Sequence, residues 1–320
     1  MPTELTIPQQ ESSPSLNALM TRVMAETPYL PEVDITVAIF ELTEEDRNEV
    51  FSFLSERPVH TVCLAGFIRD NGLISPHNRG TFYGCRNSVG RLEGVALIGH
   101  ATLIEARTAR AMKEFGFVAQ GFQHTHMILG ETGKVEQFWN YYADEGQDMR
   151  LTCREMLFEL RRAMELRDEV QGLRLANLAD LDQIVPVQAE MAEFESGVNP
   201  MEDDPDGFRA RCARRIEMRR VWVLEDDGKL VFKADIQADT PAVIYLEGVW
   251  VNPSERGKGI GRKCLRQLSR DLLSRTTSVC VLVNEEYERA HTFYRMCNFK
   301  VRDVYDSIFL HRPNLPQRAS

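Results

Sequence analysis

The 320-residue sequence predicts a mixed α/β (α+β) fold in two parts. Three observations predict it. The length suits two domains of about 150 residues each. Short β-branched or aromatic runs, the pattern of strands, alternate with amphipathic stretches of helical period. The order of these elements also recurs: HMILGETGKVEQFWNYY then MRLTCREMLFEL in the first half matches CVLVNEEYERAHTFYRM then VRDVYDSIFL in the second.

Residues 1–32 carry Pro2, Pro8, Pro14, Pro28 and Pro31 among Ser, Thr and Gln and read as a disordered arm. Residues 33–160 read as the first domain. Ile35–Leu42 suits a strand, and Thr43 to Asp46 has capping-box spacing ahead of a helix that buries Val50, Phe51 and Leu54. Pro58 stands where a second helix would begin, ending near Asp70. Strands are expected at Gly80–Arg86 and Leu92–Gly99, then a helix at Arg107–Phe115, a strand at Thr125–Leu129, a helix at Val135–Tyr142 and a strand at Arg150–Leu160. His124 and His126 alternate on one strand face without a third ligand, and His60, His77 and His100 stand alone, so no metal is expected.

Residues 161–172, charged and helix-prone, read as a linker to the second domain at 173–311. That domain opens with a short strand at Leu173–Ala176. Asn177 then caps a helix with apolar Leu178, Leu181, Ile184 and Val185, kinked or bounded by Pro186. The acidic, turn-rich run from Glu193 to Asp206 is either a solvated loop or a lip that attracts a protonated amine. Phe208–Met218 reads as a helix, and Val221–Glu225 with Leu230–Ile236 as a hairpin about Asp227-Gly228. Val243–Val251 and Ser278–Val283 are buried strands, and Lys300–Leu310 is the last strand.

Composition excludes several classes. With 43% hydrophobic and 27% charged residues, no apolar run of membrane length and no leader-like N-terminus, the chain reads as cytoplasmic. Its seven scattered cysteines contain no C-x-x-C pair, against a disulfide framework or a zinc site. A net charge of −10 disfavours nucleic acid and suits a cationic substrate.

The chemistry concentrates between Leu246 and Leu273. A buried strand ends at Asn252-Pro253, because proline has no N–H to give a ladder. Arg256-Gly257-Lys258-Gly259-Ile260-Gly261 follows, then a helix with its apolar stripe at Ile260, Cys264, Leu268 and Leu272. Glycines let a backbone approach an anion, and the first turn of a helix offers free N–H groups and a positive dipole end. The loop is therefore a phosphate cradle. Its spacing is neither Walker A nor G-x-G-x-x-G.

V-x-P-x-x-R-x-x-G-x-G, a helix, a strand, then V-N-x-x-x-x-x-A-x-x-x-Y-x-x-x-x-F resembles the core of the GCN5-related N-acetyltransferases (GNAT) over about Leu173 to Leu310. The two-part layout resembles bacterial members with an N-terminal domain of unassigned function. The resemblance implies tandem GNAT-like mixed sheets flanked by helices. The first copy is degenerate, since Gly99–Thr108 holds no R-x-x-G-x-G. It implies acetyl-CoA as co-substrate, a small-molecule or peptide amine as acceptor, and no metal, membrane or nucleic acid; a homodimer is open to such a chain.

By the same resemblance, Val249, Trp250 and Val251 lie on the splayed strand that binds pantetheine, and Arg256, Gly257, Lys258, Gly259, Ile260, Gly261 and Arg262 form the pyrophosphate loop. Asn284 makes a polar contact to pantetheine, and Tyr294 protonates the departing thiolate. Glu247 is the candidate general base. Alternation puts Glu247 with Val249 and Val251, and Trp250 opposite, unless a bulge shifts the register. Lys233 and Asp235 share a face nearby as a structural ion pair or as cleft lining. Tyr287 replaces an asparagine of many members, and Asn298 replaces a glycine at the helix end. The expected reaction is direct acetyl transfer to an amine in a ternary complex. The alternatives are a non-catalytic acyl-CoA-binding regulator and an acyltransferase acting on a thiol or other acceptor.

Overall fold

Among the described residues, twelve strands, numbered along the chain, form one continuous sheet in the order β1-β2-β3-β4-β5-β12-β6-β11-β10-β9-β8-β7. The computed structural model describes residues 38–166 and 168–311. The arm expected at 1–32 lies outside the described residues.

In the first half, β1 (Ala38–Glu41) leads through α1 (Arg47–Ser55) and α2 (Val62–Asn71) to the antiparallel strands β2 (Gly80–Arg86), β3 (Leu92–Gly99) and β4 (Ala101–Ala106). Then come α3 (Ala109–Gln120), β5 (Met127–Glu131), α4 (Thr132–Tyr142) and β6 (Met149–Leu160). The second half repeats the series: β7 (Arg174–Leu175), α5 (Leu181–Ser196), α6 (Pro205–Glu217), β8 (Val221–Asp226), β9 (Lys229–Asp239), β10 (Val243–Val251), α7 (Ile260–Leu273), β11 (Ser278–Asn284), α8 (Glu288–Met296) and β12 (Lys300–Leu310). A single helical turn, Pro200–Asp203, sits between α5 and α6.

The sheet order reads the same from either end when each strand is exchanged for its counterpart six strands on. That symmetry arises because the halves trade their last strands. β6 lies against β11 of the second repeat, β12 lies against β5 of the first, and the two traded strands pair antiparallel at the centre. The described residues accordingly fall within one contact unit, without a break at 161–172.

Several expectations are corrected. The described part of 161–173 is irregular rather than helical, tied down by Gln267, which accepts from the Val170 N–H at 2.6 Å, and by Asn298, which donates to the Arg162 carbonyl at 3.0 Å. α5 runs through Pro186 to Ser196, so Glu193 and Glu195 stand on a helix and not in a loop. β4 was not expected; it begins two residues after β3 ends. His124 and His126 precede β5 rather than alternate on it. His60 does not stand alone: its Nδ1 is 2.9 Å from the Tyr305 hydroxyl.

The core packs on both faces of the sheet. On the face carrying α7 and α8, Leu246, Val281, Phe158, Cys264, Leu265, Leu268 and Tyr294 form one cluster. α7 is held by these side chains, each fully buried aliphatic contributing about 1.5–3 kcal/mol. On the opposite face, α5 and α6 pack Ile184, Phe208 and Cys212 against Val221 and Val223.

Candidate active site

β10 and β11 run parallel through four partners, Val243↔Ser278 to Leu246↔Val281, and then separate. Beyond that point β11 continues against β6, as far as Asn284↔Glu155, while β10 continues against β9, as far as Val251↔Phe232. The result is a wedge between two strands in mid-sheet, flanked by backbone groups that pair with no neighbouring strand on that side.

A bulge lies at the mouth of the wedge. Glu247 pairs with Asp235 and Trp250 with Lys233, three steps on β10 against two on β9. The extra residue is accommodated at Gly248, with φ +60°, a left-handed backbone that glycine takes without penalty. The bulge resolves the facing. Val249 and Val251 follow Leu246 onto the α7/α8 side, and Trp250 packs on the α5/α6 side. Glu247, three residues from Trp250 across the bulge, joins it there. Burial opposes the charge on Arg215 of α6, but Glu247 and Asp235 outweigh it and hold that guanidinium above its ordinary value.

The loop after β10 ends at the first turn of α7. Gly257 and Gly259 have φ of +80° and +85°, and a Cβ on Gly257 would meet nothing within 4 Å. Gly259 is the N-cap, and no side chain caps the helix. The leading N–H groups therefore remain available to an anion. Gly261 lets the helix approach the strand, since a Cβ there would lie 2.5 Å from Val251 Cγ2. Arg256 ties the loop back by donating from Nε to the Val251 carbonyl at 3.0 Å, while Lys258 pairs with Glu255 at 3.0 Å in solvent. Arg262 reaches the Met296 sulfur at 3.4 Å. Asn284 lies at the end of β11, where its Oδ1 accepts from the Glu286 N–H at 2.8 Å. Its amide donor is the part left for a ligand.

Tyr294 of α8 is buried among Phe158, Phe293 and Phe299 on the Val249/Val251 side. Burial pushes its hydroxyl well above the ordinary range, so it is a proton donor at neutral pH. Asn298 closes that helix with φ 71°, the left-handed end expected of it. Lys233 and Asp235 form an ion pair at 2.8 Å that is fully buried and joined by Arg215 at 3.1 Å. This pair supports the bulge, with Lys233 Nζ 3.4 Å from the Gly248 carbonyl.

Two more carboxylates bear on the Glu247 side: Glu195, from the acidic run noted in the sequence, and Glu155, which the sequence does not single out. Glu155, on the traded strand β6, is 9% exposed and accepts from Ser307 of β12 at 2.5 Å. Burial pushes its carboxyl above the ordinary value, and the charges of Glu247 and Asp306 push it further against the Ser307 hydrogen bond. Glu195 of α5 is raised too, by crowding of protein around its carboxyl and by Glu247 and Glu155, although its surface still meets water. Next to Glu195 in the chain, Phe194 stacks on Tyr287 at 5.4 Å. No sequence signal marks Glu155, because its position depends on the strand exchange.

The seven cysteines are free, and burial pushes each thiol above its ordinary value. None is a ready thiolate nucleophile.

The first repeat has the same wedge, opening after Leu103↔Leu129, but ion pairs brace it and a cavity of only about 40 Å³ remains beside Leu103, Leu129 and Glu131. Arg57 meets Glu105 at 3.0 Å and Glu131 at 2.5 Å, and Lys134 meets the same two at 2.5 and 3.0 Å. β4 carries no bulge. Its link to α3 is Arg107-Thr108 alone, and the Thr108 hydroxyl accepts from the Ala111 N–H at 3.2 Å, occupying the helix end.

Residues 217–301, which run from the end of α6 to the start of β12, match the acetyltransferase (GNAT) domain family. This part of the chain carries a GNAT acetyltransferase domain. Solved structures extend the likeness to both repeats. A Drosophila protein aligns with a TM-score of 0.61 at 11% identity, covering 86% of this chain and 98% of that one. A GNAT-family acetyltransferase from Colwellia psychrerythraea aligns at 0.54 and 13%, covering 86% and 100%. A tandem GNAT protein from the clavulanic acid biosynthesis pathway aligns at 0.53 and 11%, covering 88% and 100%. At such identities the likeness is one of fold: a tandem GNAT fold, here with its first copy degenerate. No curated protein sequence matches the chain. The GNAT fold supports acyl transfer from acyl-CoA. Among the described residues no helix is long and apolar enough to cross a membrane.

Proposed function

We propose that the protein is an acetyl-CoA-dependent N-acetyltransferase whose active domain is 173–311, with 33–160 as a copy that has lost its cofactor cleft. One observation carries this reading. The strands part at Leu246/Val281 beside an uncapped helix whose leading loop is open to an anion, and the equivalent opening in the first repeat is braced shut.

Pyrophosphate would sit on the loop Arg256 to Arg262, with pantetheine in the wedge along Val249–Val251 and near the Asn284 amide. A backbone N–H of β10 polarises the thioester carbonyl, as an oxyanion donor does. Glu247 takes the proton of the attacking nitrogen. The C–N bond forms, the C–S bond breaks, and the thiolate takes the Tyr294 proton. The protonated state of every cysteine favours this direct route over an acetyl-cysteine intermediate. Seven free thiols suit a reducing cytoplasm.

The test is release of coenzyme A from acetyl-CoA across an amine panel, with acetyl-CoA binding measured separately by calorimetry. Gly259→Asp should abolish binding, since it places a carboxylate on the anion site in a left-handed backbone. Tyr294→Phe should keep binding and lower kcat by about a hundredfold. Binding without amine-dependent release would favour the regulatory reading, and absence of binding would end both.

A further inference from the structure

Past the point where β10 leaves β11, one peptide has no place in the sheet. β10 pairs with β11 only as far as Leu246↔Val281, and against β9 it steps from Glu247↔Asp235 to Trp250↔Lys233. Gly248 and Val249 thus have no register partner on either neighbour. The peptide between them is held by a side chain instead. Lys233, fully buried, brings its ammonium to 2.6 Å from Gln188 Oε1 of α5, 2.8 Å from Asp235 Oδ1 and 3.4 Å from the Gly248 carbonyl oxygen. An ammonium has three protons to give, and three oxygens surround this one. The fit is close: a Cβ on Gly248 would lie 3.0 Å from Lys233 Nζ, 3.2 Å from Asp235 Oδ2 and 3.4 Å from Gln188 Oε1.

Stability does not account for this arrangement. The cost of taking two charges out of water can exceed their mutual attraction, and well-packed apolar side chains in their place often leave a fold as stable or more so. The first repeat has the apolar solution. There Leu103 is the last β4 residue paired across the wedge and lies opposite Leu97, as Leu246 lies opposite Ile236. Counting on from that level, Ala96 and Gly94 take the places of Asp235 and Lys233. The repeat that lacks the bulge and the anion loop lacks the buried cation as well.

A peptide unit is planar, so its carbonyl and its N–H cannot turn independently. A cation that holds the Gly248 oxygen therefore fixes the Val249 N–H, and by polarising the unit it makes that N–H a stronger donor. Resting on the function proposed above, we propose that Lys233 is a positioning residue for acyl transfer: it holds the Gly248–Val249 peptide so that the Val249 N–H meets the thioester oxygen, where negative charge gathers as the nucleophile adds. Dipoles fixed in this way need no reorganisation during the reaction. Lys233 touches no substrate atom and acts through the backbone.

The test needs no acceptor. Acetyl-CoA labelled with 13C at the thioester carbonyl is bound to the full chain, its carbonyl band is followed by isotope-edited infrared difference spectroscopy, and Kd is taken from calorimetry. Donation to that oxygen lowers the band. Lys233→Met, which keeps an unbranched chain without the charge, should raise the band relative to wild type while Kd stays within about threefold. Lys233→Met/Asp235→Leu, which removes the pair whole, should raise it equally in a fold of undiminished stability in urea. Arg174→Met, which breaks the Arg174–Asp180 pair away from the bulge, should leave it in place. With any amine that turns over, kcat should fall by about ten- to a hundredfold in both Lys233 variants, with KM for the amine little changed. An unmoved band in Lys233→Met, an equal rise in Arg174→Met, or loss of acetyl-CoA binding in both Lys233 variants overturns the inference while the cofactor reading stands. Failure of the wild type to bind acetyl-CoA removes both.

Discussion

Gly261→Ala isolates the contact that sets the anion loop against the sheet. The new Cβ would start 2.5 Å from Val251 Cγ2, where carbons pack at about 3.5–4.0 Å, so helix or strand must give by about 1 Å. Overpacking of this kind costs about 1–3 kcal/mol. Alanine regains up to about 1 kcal/mol over glycine within a helix, so the net loss of stability is roughly 0–2 kcal/mol, a shift of a few degrees in Tm. Binding should suffer more than stability, because the displaced turn is the one whose N–H groups would meet the pyrophosphate. We expect acetyl-CoA Kd, measured by calorimetry, to rise by about tenfold, which is about 1.4 kcal/mol. Val251→Ala removes the colliding methyl, so the double variant should recover most of that affinity, a coupling of about 1 kcal/mol. Unchanged affinity in Gly261→Ala, or a double variant no better than the single, would refute the assignment of this glycine to close approach.

Three further outcomes are expected. Burial works against the Glu131 charge, but Arg57 and Lys134 hold its carboxyl down at about 2, below the ordinary 4.5, so it stabilises the fold above the unfolded value and that contribution is lost as pH falls from about 5 towards 2. Glu131→Gln should flatten the acid limb of Tm against pH, and an unchanged limb would show that the brace contributes nothing. Glu155 is the opposite case: its folded value is raised, so ionisation favours unfolding as pH climbs above the unfolded value. Among Glu195, Glu247, Asp306, Cys153 and Ser307, Glu155→Gln should therefore gain stability over wild type between pH 5 and 8 in chemical denaturation, and a constant difference across that window counts against an unpaired charge. Replacing Arg57 with Met, which breaks the brace on the first wedge, should destabilise by about 1–3 kcal/mol in urea without creating a second acetyl-CoA site; a calorimetric stoichiometry of two would contradict the reading of that repeat as closed.

Much of this was legible in sequence because it depends on local chemistry. The glycine loop, the helix stripe through Cys264 and Leu268, the Asp227-Gly228 hairpin and the left-handed end at Asn298 each follow from residues close together in the chain. What was not legible depends on pairing at a distance. Alternation alone puts Glu247 with Val249, and only the unpaired residue at Gly248, which needs β9 as its reference, turns it towards α5 and α6. Glu155 in MRLTCREMLFEL looks like any strand carboxylate until β6 is seen against β11. The charged run 161–172 has helical propensity, but its backbone is held by side chains from α7 and the α8–β12 turn.

The trade of closing strands also makes the chain its own clamp. A protease that cuts once between residues 161 and 173 would leave two fragments, each ending in a strand held within the other's sheet by hydrogen bonds on both edges. The nicked molecule should run as two bands under denaturing conditions and elute as one species under native ones. Either fragment made alone would present bare ladders at β5 or β11, the kind of edge on which chains aggregate. The connection between the halves is thus dispensable once folding is complete, and the partnership it joins is not.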